Sequence, residues 1–93
     1  MKMGEKPITI ALDDAGLILH LVLMHRYFDA IDRGEKTVEY RENTEYWRRR
    51  IVGAQKIVFH KGYTKVTMTF LIKDVIFNGD KIEIWLGARL NEP

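Results

Sequence analysis

Gly34-Glu35-Lys36-Thr37-Val38-Glu39-Tyr40-Arg41 packs a lysine, two carboxylates, a hydroxyl, a phenol and a guanidinium into eight residues. In an extended chain Thr37, Glu39 and Arg41 project from one face. Lys36 follows directly on a helix break, and the bend can aim it to the same side. Arg41 can hold a phosphate through two parallel bonds. Lys36 can be a point charge for phosphate or, once desolvated, a base. Glu39 can act as acid or base, or orient the two cations. The competing account is a surface lattice in which these charges neutralise one another.

Other candidate residues lie further along. Tyr46 and Trp47 adjoin Arg48-Arg49-Arg50. Basic groups interleaved with aromatics can stack bases and neutralise phosphates. Trp47 and Ile51 are four apart and read as an apolar pair against the core, with the arginines solvated. Tyr40, Tyr46 and Tyr63 are the better stacking candidates, because a phenol tolerates a wet edge. Lys61-Gly62-Tyr63-Thr64-Lys65 is a basic turn and lacks the pattern of a phosphate loop entering a helix. It can still form a lip of the cleft, with His60 and Lys61 near a phosphate. The ligand-contact set is therefore Lys36, Thr37, Glu39, Tyr40, Arg41, Tyr46, Arg48, His60, Lys61 and Tyr63. In an enzyme, Lys36 and Glu39 are the catalytic candidates. His20, His25 and His60 are the only histidines, and none is paired at i, i+4, so no metal is expected. His20 interrupts an apolar run and reads as a buried histidine with its hydrogen bonds satisfied. His25 reads as a helix cap or a cleft residue.

The elements that position these groups follow from patterning. Residues 1–16 read as a tail with a short strand over Ile8 to Leu12 and a turn at Asp13-Asp14-Ala15-Gly16. The domain proper spans residues 17–90. Leu17 to Met24 reads as a strand buried on both faces. Arg26 to Arg33 reads as a helix with Phe28 and Ile31 on one side, stopped by Gly34. Lys36 to Glu42 is extended. Asn43 or Thr44 caps a second helix running through Ile51, with Glu45 and Arg49 paired at i, i+4. Lys56 to His60 is a strand. Val66 to Phe77 alternates until Lys73-Asp74, where a bulge is expected. Asn78-Gly79 signals a hairpin, and Lys81 to Gly87 returns with Ile82, Ile84 and Leu86 on one face. The result is an α+β domain of five to six strands, closed or nearly closed as a barrel, with two short helices flanking the motif.

Composition narrows the chemistry. The chain has 93 residues, enough for one domain with a modest core. It has no cysteine and no serine, so disulfides, thiolate nucleophiles, cysteine-bound zinc and serine hydrolysis are excluded. A small domain without staples suits a reducing compartment, and a cytoplasmic location is expected. The longest apolar stretch is far too short to cross a bilayer as a helix, so no membrane partner is expected. Net charge is only +2, but no acid stands between Tyr46 and Lys73 while seven cations do. That asymmetry would give one face a positive potential attractive to phosphate, and a set of solvated lysines scattered on strands accounts for it equally well. No cofactor fingerprint is present.

The pattern G-x-K-x-x-E-x-R, met as Gly34, Lys36, Glu39 and Arg41, resembles the signature of the ASCH family, a branch of the PUA-like superfold. The order of buried strand, helix ending at the glycine, motif, second helix and closing strands fits as well, over Leu17 to Gly87. The resemblance implies a PUA-like β-barrel with a cleft beside the motif, and RNA binding. Some small members are linked to ribonuclease activity. One group cleaves the amide of N4-acetylcytidine with a lysine, a threonine and a glutamate. Its lysine matches Lys36, and its threonine falls where Glu39 stands here. Thr37 is two residues away, and Glu83 is the candidate for its late glutamate. RNA or nucleotide binding is thus the leading expectation. A hydrolase of RNA or a modified nucleoside, and an accessory protein-interaction domain, are the alternatives.

Overall fold

Leucines at every second position, Leu19, Leu21 and Leu23, give the first strand a single apolar face. The computed structural model describes residues 17–91. The strand is β1 (Ile18–Leu23), followed by α1 (His25–Asp32), β2 (Val38–Glu42), α2 (Glu45–Ile51), β3 (Lys56–Lys61), β4 (Thr67–Asn78) and β5 (Lys81–Leu90). The strands form one curled sheet in the order β1-β3-β4-β5-β2. β1 runs parallel to β3, and the other neighbours are antiparallel. The motif strand β2 is therefore an edge strand, held only by β5 within the sheet.

The inner face of the sheet and both helices share one core. Leu19, Leu21, Leu23, Ile57, Phe59, Met68, Phe70, Ile82 and Ile84 enter it from strands, Phe28 and Ile31 from α1, and Ile51 from α2. Phe59 and Phe70 meet edge to face with centroids 6.0 Å apart, an arrangement favoured by the ring quadrupoles. Trp47 packs on this core as a partly buried side chain.

Several expectations hold. Thr44 caps α2, with its hydroxyl accepting from the Trp47 amide at 3.3 Å. The β4–β5 ladder shifts register between Phe70 and Asp74, which is the irregularity expected near Lys73. Others need correction. β1 is buried on one face only, because Ile18, His20 and Val22 lie on the outer side of an edge strand. His20 is accordingly exposed, not a buried core histidine. The hairpin pairs Asn78 with Lys81, so its two-residue loop is Gly79-Asp80, one position later than Asn78-Gly79. Asn43 donates to the Gly79 carbonyl at 3.0 Å, and its amide to Asp80 O at 2.8 Å, which ties the loop to the end of β2. The sheet is a half-barrel whose edges β1 and β2 are not paired with each other. The strand and turn expected over residues 8–16 lie outside the described residues.

The stop of α1 sets the direction of the motif. Gly34 has φ +80°. Its amide donates to Ile31 O at 3.0 Å, and the Glu35 amide to Ala30 O at 2.9 Å. These are the two bonds of a Schellman ending, which needs a left-handed residue at Gly34. A Cβ there would meet no atom within 4 Å, so only backbone conformation demands glycine. Gly34→Ala should lower stability by about 1–2 kcal/mol, the left-handed penalty of an L-residue. Urea unfolding measures it, and an unchanged midpoint would contradict this account.

Candidate functional site

Glu39 is a carboxylate on the inner face of a strand, directly opposite Ile84 of β5 and only 6% exposed. An ionised carboxylate placed there must be paired. Both of its oxygens are. Lys36 Nζ lies 3.2 Å from Oε1, and Arg41 Nη1 lies 2.6 Å from Oε2. The two cations keep only partial exposure.

The same cations also cover the open side of β2. The Leu86 amide donates to Thr37 O at 3.0 Å. With that register, antiparallel alternation turns the backbone polar groups of Val38 and Tyr40 away from β5. Lys36 Nζ donates to Val38 O at 2.6 Å, and Arg41 Nη1 donates to Tyr40 O at 2.8 Å. Each cation thus bridges the buried carboxylate and one edge carbonyl. The Arg41 guanidinium also lies 5.2 Å from the Trp47 ring centroid, within cation–π range.

A cleft of about 210 Å³ opens beside this triad, lined by Tyr27, Lys36, Glu39 and Tyr40. Lys36 Nζ sits 5.2 Å from the Tyr40 ring centroid. Glu35 is kept out of the cleft's charge balance, because Arg33 donates to both its oxygens at 2.9 Å. Those bonds, and then the charge of Arg33, hold the Glu35 carboxyl below its ordinary range. The inventory of donors decides what is left for a ligand. An ammonium has three N–H groups, and Lys36 donates to Val38 O while forming an ion pair with Glu39. A guanidinium has five, and Arg41 directs both its protein bonds from Nη1. Donor capacity on Lys36 and the Nε–Nη2 edge of Arg41 therefore remain among the described contacts.

The other candidates are placed elsewhere. Thr37 is exposed and does not line the cleft. Tyr46 meets Trp47 edge to face and carries the Arg50 guanidinium 3.6 Å from its centroid. Arg48 donates to Asn43 O and Oδ1, closing the turn before α2. Lys61 pairs with Asp29 at 3.0 Å. Tyr63 is 98% exposed at the tip of the β3–β4 turn. His60 Nε2 lies 3.0 Å from His20 Nδ1. Glu83 is opposite Tyr40, on the face away from Glu39, and accepts from Asn78 and Trp85 at 3.0 Å each. Those bonds hold its carboxyl below the usual range. His25 packs on Gly62, where a Cβ would come within 2.9 Å of its Nε2. Sequence reasoning missed Tyr27. The only signal was a phenol one residue before the buried Phe28, on the helix from which the motif turns back.

Among the described residues, no group of three or more histidines, cysteines and carboxylates could hold a metal, and no helix is long and apolar enough to cross a membrane. No protein-family model matches the chain, and no curated protein matches it.

Glu39→Gln strands two partly desolvated cations. It should cost about 2 kcal/mol, less than the ~3–5 kcal/mol of a fully buried pair, because both cations still touch water. Denaturant midpoints measure the loss, and a neutral substitution would show that the triad contributes nothing. His60 yields a pH prediction. Burial first, and His20 second, lower its pKa in the folded state. The unfolded chain therefore binds the proton first, so stability is full above about pH 6.5 and falls as pH drops toward the lowered folded value. His60→Asn should flatten that part of the stability–pH curve, and an unaltered slope would refute the assignment.

Proposed function

We propose that the cleft between Tyr27 and Tyr40 binds RNA or a nucleotide. The observation that carries this reading is a cleft lined by Lys36, the buried carboxylate of Glu39 and two phenols, with Arg41 paired to that same carboxylate just outside the lining. The Nε–Nη2 edge of Arg41 presents parallel N–H groups suited to a phosphate. The phenols offer faces for a base. At about 210 Å³ the cleft is smaller than the ~300–1,000 Å³ that encloses a drug-sized ligand, so one ring or one phosphate is its natural occupant. Glu39 orients both cations and leaves the triad with one net positive charge.

Two further features support the reading. Gly34, Lys36, Glu39 and Arg41 match the ASCH pattern. The element order, with a strand, a helix stopping at Gly34, the motif strand, a second helix and three strands, suits a PUA-like barrel. Absence of cysteine is compatible with a cytoplasmic setting.

Hydrolysis is the second reading, favoured by the 3.2 Å approach of Lys36 and Glu39. It asks more of the site. Both oxygens of Glu39 are engaged, and the Lys36 ammonium must lose a proton before serving as a base or nucleophile. Thr37 and Glu83 do not converge with Lys36 on the cleft.

Titrating the wild type, Lys36→Ala and Arg41→Ala against single-stranded RNA at two salt concentrations tests the proposal. Each variant should bind about tenfold more weakly, with a salt slope reduced by about one. Equal affinity in all three proteins would sink it. An absence of any affinity at low salt would favour an accessory protein-interaction domain.

A further inference from the structure

A second concavity lies away from the motif, between β1 and the last turn of α2. It measures about 330 Å³ and is lined by Ile18, Leu19, His20, Arg49 and Arg50. Its charge is one-sided. Arg49 is matched by Glu45 at 2.6 Å, but both side chains are largely exposed. Arg50 lies over the Tyr46 ring and donates to Tyr46 O at 3.2 Å. Among the described residues no carboxylate pairs with Arg50. The β4 residues in register with Val58 and His60 are Thr69 and Thr67, which carry no charge.

His20 completes the groove and is itself held. Its Nδ1 lies 3.0 Å from His60 Nε2, so one ring donates and the other accepts. Burial and the neighbouring His20 both favour neutral His60. With Nδ1 engaged by His60, Nε2 is the His20 nitrogen left for a ligand. Two imidazole nitrogens at this spacing also suggest a shared cation. Arg49 and Arg50 oppose that, and no third ligand joins them among the described residues. The carbonyl end of α2 disfavours an anion, so any anion must be held by side chains.

We infer that this groove binds a tetrahedral oxyanion, the phosphate group of a ligand, through Arg50, Arg49 and the Nε2–H of His20, with His60 holding the His20 ring through Nδ1. Arg50 supplies the unmatched charge, and Tyr46 holds its guanidinium plane. The groove shares no residue with the Tyr27–Tyr40 cleft, so the two readings fail independently.

Sulfate is the probe, since it stays dianionic at neutral pH. The full chain is titrated at constant ionic strength, following the histidine ring and arginine side-chain NMR signals. Saturable shifts at His20 and Arg50 are expected. Arg50→Gln and His20→Gln, both at exposed positions, should each weaken binding by about tenfold. Competition separates the sources of phosphate. Displacement by a short single-stranded oligonucleotide points to a nucleic-acid backbone, and displacement by inorganic phosphate alone points to a small ligand. Shifts that never saturate, that persist in both variants, or that yield to neither competitor overturn the inference. So does tight zinc binding by the histidine pair without a sulfate response.

Discussion

A carboxylate turned into the core side of an edge strand is the constraint around which this domain is arranged. Glu39 lies opposite Ile84, among residues that exclude water. An unpaired ionised group there would cost several kcal/mol. Lys36 and Arg41 offset that cost from the two ends of the segment. Their positions depend in turn on the helix stop at Gly34 and on Trp47 of α2, which lies against Arg41. The motif is therefore as much a structural device as a candidate site. Its leftover donors are what allow it to be both.

The local grammar of the chain was legible where a single residue type dictates backbone shape. Gly34 had to end a helix, Asn43 or Thr44 had to begin one, and the region of Lys73 had to break an alternating strand. The apolar alternation of Ile82 and Ile84 named both buried core residues contributed by β5. The clustering of Lys36, Glu39 and Arg41 was also readable, because an extended segment after a sharp turn leaves few other arrangements.

What spacing did not reveal was partnership over distance. Arg48, Lys61 and Tyr46 were plausible ligand contacts as sequence, yet Asn43, Asp29 and Arg50 already engage them. Each partner is set by turn closure or tertiary packing, which a charge pattern does not encode. His20 is the sharpest case. It interrupted an apolar run, and burial on both faces was the natural reading. Strand order decided otherwise, since β1 lies at an edge and its outer side faces water beside His60. His20 and the two arginines at the end of α2 line one groove, a neighbourhood that periodicity does not link.

The sheet order has a kinetic side. β4 and β5 are joined by a two-residue loop, so they can pair with almost no chain closure. β1 and β3 are parallel neighbours, yet all of α1, β2 and α2 lies between them in sequence. The excursion carries β2 from one margin of the sheet to the opposite one, where it meets β5. Local pairs form before distant ones are rewarded. Folding should therefore begin at the β4–β5 hairpin, and β2 should dock late, bringing Glu39 and its two cations with it. A chain caught before that step would hold much of its sheet and none of its motif cleft, so native secondary structure would be a poor proxy for a competent site.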